Sequence, residues 1–213
     1  MRQYRWLLAG VVCLVAAAVI VVSAHPGADP ESLSTATMGT TIPLESRTPA
    51  PELTGLDGWI NSPPLTLAGL RGRVVLIDFW TFSCVNCVRT LPHLEADDQR
   101  YRDQGLVTIG VHSPEFDFEK SSSNVAAATR RLHVTYPVAL DSHMNTWNAY
   151  GNQYWPAQYL IDRQGRVAAV HVGEGDYEAT ERNIVSLLGG GASLVPGSQP
   201  SDAPLTGSRT PEL

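Results

Sequence analysis

The chain has 213 residues, enough for one globular domain with tails or at most two small domains. Its hydrophobic content of 43% supports a packed core, and its formal charge of -6 gives no electrostatic reason to expect nucleic acid as a partner. Of three cysteines only Cys84 and Cys87 lie close together, too few for a disulfide-built scaffold or for a zinc site made of cysteine alone.

At the N-terminus, Arg2 and Arg5 precede an apolar or weakly polar run from Leu7 to Ala24. Positive charge followed by such a run is the pattern of an export signal, with the N-terminus held inside. Two fates stay open. Val22-Ser23-Ala24 offers small residues to a signal peptidase, and the run is near the lower limit of the roughly 17–25 residues of a spanning helix. Residues 1–24 are therefore read as a signal peptide or membrane anchor, and either fate puts the remainder outside the cytoplasm. Cys13 follows Val12, not the small residue expected at a lipoprotein site, so it is read as an apolar residue of this segment. Residues 25–47 are rich in Ser, Thr, Pro, Gly and Ala without an apolar period and are read as a flexible linker. Residues 189–213 open with three glycines and are read as a disordered tail.

Residues 48–188 carry a single α/β pattern. Val74 to Trp80 is a nearly continuous apolar run, the signature of a central strand covered on both faces. Cys84 to about Arg102 reads as a helix, Leu106–Val111 as a second buried strand, and about Phe118 to Leu132 as a helix with Val125, Ala128 and Leu132 on one face. Tyr136–Leu140 is short and extended, and Met144–Tyr150 allows one or two helical turns. Gln158–Ile161 and Val167–Val172 flank Asp162-Arg163-Gln164-Gly165, which predicts an antiparallel hairpin. Tyr177–Leu188 closes the domain as a helix. The expected fold is an α/β sheet with helices on both faces.

The chemistry concentrates in Asp78-Phe79-Trp80-Thr81-Phe82-Ser83-Cys84-Val85-Asn86-Cys87. A Cys-x-x-Cys alone is open to three readings: half a zinc site, an inert disulfide or a redox pair. Zinc would need two further ligands, and no His-x3–5-His pair supplies them. Here the pair follows a buried strand and opens a helix. The helix N-terminus presents unpaired N–H groups and a positive dipole end, which favour the thiolate of the first cysteine. Cys84 is then the nucleophile, and Cys87, one turn on, is placed to attack the mixed disulfide and release the substrate.

These residues resemble the thioredoxin superfamily position by position. Asp78 stands where thioredoxins carry a buried acid, Trp80 where they carry an active-site tryptophan, Pro92 where a proline kinks the active-site helix, and Trp155-Pro156 where they have the cis-proline loop. The longer stretch between Cys87 and Pro156 has room for an added helix and strand, as in the TlpA/ResA branch of exported, often membrane-anchored proteins. The leader Ser62 to Gly72 looks like that branch too. Phe79 to Pro92, Gly110 to Phe116, Ala149 to Asn152, Tyr154 to Ala157 and Gly173 to Tyr177 look like the thioredoxin-like domain of DipZ-type cytochrome c biogenesis proteins. The departures are Ser83 in place of thioredoxin's tryptophan, Val85-Asn86 in place of Gly-Pro, and Thr90 where several haem-pathway relatives carry glutamate.

The resemblance implies a thioredoxin-like fold, a central mixed sheet flanked by helices with a helix–strand insertion. It also implies an extracytoplasmic thiol–disulfide oxidoreductase acting on exported proteins, apocytochrome c among them. The expected redox group is the Cys84–Cys87 disulfide, with no other cofactor and no metal. A membrane electron donor of the CcdA type is expected as a separate partner. Asp78, a partly buried carboxylate with a raised pKa, would take the proton of Cys87. Trp80 would serve as core and site wall at once. A cis Pro156, lacking an N–H, would leave the Trp155 backbone free to pair with extended substrate. Glu115 is a loop acid that could approach the site, and His112, His133, His143 and His171 are read as surface or packing residues. Two competing functions are a thiol peroxidase, because Thr81-x-x-Cys84 echoes part of a peroxiredoxin site, and a metallochaperone or binding module.

Overall fold

A computed structural model describes residues 41–189. The expectations for residues 1–24, 25–40 and 190–213, and for Cys13, lie outside the described residues.

Strand β1 (Gly58–Ile60) leads to β2 (Val74–Trp80), helix α1 (Val85–Tyr101), β3 (Leu106–His112), α2 (Ser122–Arg131) and β4 (Val138–Leu140). A short α3 (Asn145–Ala149), the hairpin strands β5 (Ala157–Ile161) and β6 (Val167–Val172), and α4 (Tyr177–Leu188) complete the order. The six strands form one sheet in the order β1-β4-β3-β2-β5-β6. β2, β3 and β4 run parallel, whereas β1 on β4, β5 on β2 and β6 on β5 are antiparallel. The sheet is therefore mixed, as expected.

β2 is buried at every residue because it lies between β3 and β5 with both faces covered. Alternation along the strand divides its side chains. Val75, Ile77 and Phe79 enter one core with Ile109, Ala139 and Trp147. Val74, Leu76 and Trp80 enter the other with Cys87, Leu91 and Leu94 of α1 and Ile184 of α4. Asp78 falls on this second face, beneath α1.

α1 begins one residue after Cys84, which is its N-cap, and runs on through Pro92. Its buried residues Cys87, Thr90, Leu91, Leu94, Asp98 and Tyr101 recur at helical spacing, so the face that packs the core also carries the second cysteine. The hairpin turn forms as expected: Gly165 N–H donates to the Asp162 carbonyl (2.8 Å), and the Asp162 carboxylate accepts from the Gln164 N–H (3.0 Å).

Three elements depart from the sequence reading. β1 was unexpected; its glycine and three-residue length give little periodic signal. The helix expected from Phe118 to Leu132 is broken: a 3-10 turn covers Asp117–Lys120, Ser121 is extended, and α2 starts at Ser122. The break occurs because the Glu119 carboxylate turns back to the N–H groups of Glu115 and Phe116 instead of lying along a helix face. Finally, residues 41–47, expected in the flexible linker, lie on the domain. Ile42 N–H donates to the Ala168 carbonyl (2.6 Å), and Arg47 pairs with the buried Asp162 (3.2 Å).

Candidate active site

The C-terminal end of β2 delivers Thr81, Phe82 and Ser83 to Cys84, whose extended backbone (φ -72, ψ 114) opens α1. The Cys87 N–H donates to Cys84 Sγ (3.4 Å), so the first sulfur sits at the helix N-terminus with a donor aimed at it. Both cysteines are free thiols; Cys84 is partly exposed and Cys87 is fully buried. The two sulfurs therefore differ in access: Cys84 can be reached from solvent and Cys87 cannot.

Asp78 is fully buried, and neither carboxylate oxygen has a hydrogen-bond partner among the described residues. Burial pushes its pKa up to about 8. Burial, the hydrogen bond to Cys84 and the neighbouring Asp78 charge together hold the Cys87 thiol far above its ordinary range. Asp78 is wholly and not partly buried, and its charge is one of the influences that raise the Cys87 pKa.

Trp80 was expected to be core and site wall at once. It is fully buried, which fits the core half, and it exposes no surface of its own to solvent. Alternation along β2 turns it to the same inner face as Asp78, where its indole fills the space above Gly110. A Cβ added at Gly110 would meet Trp80 Nε1 at 2.8 Å and the Tyr136 ring at 3.2 Å, so only glycine fits there.

The Trp155–Pro156 bond is cis, as expected. The pairing of Ala157 with Phe79 brings this loop to the end of β2 from which the cysteine turn departs. Pro156 itself is buried, so the loop presents the half-buried Trp155 and the exposed Tyr154. Trp155 Nε1 donates to the Ser113 carbonyl (2.9 Å), and the Ser113 N–H donates to the Trp80 carbonyl (3.0 Å), which ties the proline loop to β2 through the loop after β3.

That loop holds the residue the sequence reading missed. Glu115 is exposed, whereas Glu119 is fully buried. Its carboxylate accepts from Ser83 Oγ, from the Thr81 side chain and from the N–H groups of Glu115 (2.7 Å) and Phe116 (2.9 Å). Burial alone would raise its pKa, but these donors outweigh burial and the net direction is down. Thr81 Oγ1 also lies 3.3 Å from Nε2 of His112. Burial pushes the His112 pKa down to about 4, so the ring is neutral at physiological pH. His112 is thus a packing residue, stacked on Phe82 (5.5 Å) and edge-on to Trp80 (5.3 Å). The signal available in the sequence was Glu119 itself, an acid that follows Phe116 and Phe118. Its partners Thr81 and Ser83 are too distant in the chain for spacing to reveal them.

The Redoxin family model matches residues 46–188. Protein DipZ of Mycobacterium bovis is 48% identical over 173 residues, 80% of this chain; the chain spans about a quarter (24%) of that relative's length. The thiol-disulfide oxidoreductase YkuV of Bacillus subtilis is 27% identical over 68% of this chain and 97% of its own length. Among solved structures, a thiol:disulfide interchange protein DsbE from Chlorobium tepidum superposes with a TM-score of 0.60 at 28% identity, over 67% of this chain and 97% of that one. With its buried acid, cis-proline loop and helix-capping Cys-x-x-Cys, the chain belongs to the Redoxin family and has a thioredoxin-like fold.

Proposed function

We propose that the chain works outside the cytoplasm, reducing or exchanging disulfides in exported proteins through Cys84 and Cys87. The observation that carries this reading is the unequal access of the two sulfurs: a partly exposed Cys84 capping α1, with a buried Cys87 beside an unpartnered acid.

Cys84 attacks one sulfur of the substrate disulfide; that S–S bond breaks and a Cys84–substrate disulfide forms. The displaced substrate sulfur leaves and is protonated. Asp78 in its ionised form, a minority at neutral pH that grows toward about pH 8, takes the Cys87 proton, and the Cys87 thiolate attacks Cys84 Sγ, releasing the second substrate thiol. The substrate gains two electrons and the protein is left with a Cys84–Cys87 disulfide. The Trp155–Pro156 loop stands at the same end of the sheet, and an extended polypeptide pairing with the Trp155 backbone fits that placement. Turnover then needs a donor to reduce Cys84–Cys87 again, and a separate membrane protein of the CcdA type is the donor we assign. Apocytochrome c is the substrate candidate that the likeness to DipZ supports. The charged run before Leu7 and the apolar stretch to Ala24 support export.

The peroxidase reading is less favoured, because the Thr81 hydroxyl lies 3.3 Å from His112 Nε2 with the Glu119 carboxylate beside it. The test is a trapping experiment. Cys87→Ser should accumulate mixed disulfides with exported cysteine proteins, and Cys84→Ser should accumulate few. Equal trapping by both variants would refute the assignment of roles. The reduction potential of the wild-type pair then decides between reductant and oxidant.

A further inference from the structure

All three residues between β2 and Cys84 are bound to one distant segment, 112–119. Thr81 bonds to Glu119 and approaches His112. Phe82 lies between the His112 ring, on which it stacks at 5.5 Å, and the edge of Phe118 at 5.9 Å. Ser83 donates its hydroxyl to Glu119. Ser83 is exposed, and an exposed serine has water for a partner at no cost; here its hydroxyl is instead committed to a carboxylate that is fully buried. The same carboxylate holds the N–H groups of Glu115 and Phe116, the base of a loop whose exposed rings Phe116 and Phe118 stack at 5.7 Å.

We propose that Glu119 is a positioning residue for Cys84: through Ser83 and Thr81 it fixes the turn that aims the attacking sulfur, and it locks the Phe116–Phe118 loop to that turn. The geometry gives the reason. Cys84 is an N-cap with extended backbone, so the direction in which its sulfur points follows from how residues 81–83 arrive. A carboxylate bonded to four donors is a rigid anchor, because charge-assisted bonds are about twice as strong as neutral ones. Position 83 is where thioredoxins place tryptophan; here a serine at that position makes the anchoring bond.

The inference rests on Cys84 being the attacking thiol, so the experiment on the full chain includes Cys84→Ser. Three readouts are followed: the pH profile of Cys84 alkylation by iodoacetamide, the reduction potential of the pair, and turnover with insulin and with glutathione disulfide. Ser83→Ala removes one exposed hydroxyl and leaves the core intact. It should lower the reactivity of Cys84 toward both disulfides by roughly three- to tenfold, the net worth of one typical hydrogen bond. It should also displace the alkylation profile. Ser83→Thr, which returns the hydroxyl, should restore both. Glu119→Gln, with one acceptor oxygen instead of two, should lower reactivity by about tenfold or more. Unchanged profile and potential in Ser83→Ala overturn the proposal, even if Glu119→Gln does not fold. A loss in Ser83→Ala that Ser83→Thr does not restore also overturns it. Activity surviving in Cys84→Ser would instead refute the assignment of the nucleophile.

Discussion

Two fully buried carboxylates flank the cysteine turn, and they are opposites. Asp78 has no hydrogen-bond partner among the described residues and is pushed up to about 8. Glu119 is surrounded by donors and is shifted down. Burial is the largest influence on both, and it acts in the same direction on both. What separates them is whether the surrounding backbone and hydroxyls donate. An acid without donors can accept and release a proton near neutral pH; an acid filled with donors stays charged and holds structure. One small site contains both kinds, six residues before Cys84 in the chain in one case and across the sheet end in the other.

The sharpest way to break this contrast is Asp78→Asn. Loss of a general base costs roughly 100-fold or more in rate, so turnover of insulin at neutral pH should fall by about that factor while the fold persists. Equal rates for mutant and wild type across roughly pH 6–9 would make Asp78 purely structural. Glu119→Ala should act mainly on stability instead. It removes the acceptor of the Glu115 and Phe116 N–H groups and of the Ser83 hydroxyl, so urea denaturation should show a loss of about 3 kcal/mol, roughly the sum of three hydrogen bonds to a charged group partly replaced by water. A loss below about 1 kcal/mol would mean the donors find other partners.

The two acids should also leave opposite marks on stability as pH changes. The folded Asp78 keeps its proton between about pH 4 and about pH 8, a range in which the unfolded chain has lost it. The folded state then binds more protons, so stability falls as pH rises through this range and levels off above it. Asp78→Asn should abolish that slope and be the more stable protein above about pH 8, by a few kcal/mol on the order of the linkage. Glu119 is depressed, so its contribution is present above the ordinary carboxylate range and is lost as pH falls through its lowered value. A smaller effect probes the packing beside Asp78. Gly110→Ala would push a methyl group into Trp80 and Tyr136, and thermal melts should show a cost of about 1–3 kcal/mol. The smallest concerns neither acid: Arg47→Ala should cost about 1 kcal/mol by removing its bond to Asp162.

Much of the fold was legible in the sequence because its elements are strongly patterned. β2 is a continuous apolar run, and α4 begins at Tyr177 and ends at Leu188 as its pattern indicates. The cysteine pair was legible because it follows a buried strand and opens a helix, and Asp78 and the cis bond at Pro156 because the residues around them resemble thioredoxins. Trp80 was expected to be core and site wall at once; the two-residue period of β2 sends it inward with Asp78, so only the core part of that reading is seen. Glu119 was passed over for Glu115 because both lie in one acidic, aromatic loop, and only the folded chain shows which of them meets Ser83. The break at Ser121 follows from the same carboxylate turning back to the N–H groups of Glu115 and Phe116, a local capping contact that interrupts an otherwise helical pattern.

The segment before β1 has a consequence for the outer rim of the hairpin. β6 ends the sheet, and an unpaired strand rim is a template for another chain. Residues 42–50 run along it: Ile42 N–H bonds to Ala168, Val167 N–H to the Thr48 carbonyl, and Ala50 N–H to Gly165, with a bridge between Pro49 and Arg166. This stretch acts as a selvedge that finishes the sheet. A fragment trimmed to start at residue 48 would keep the cysteines and both acids and still lose part of that cover, leaving it prone to self-association through β6; one starting at residue 41 keeps the rim closed.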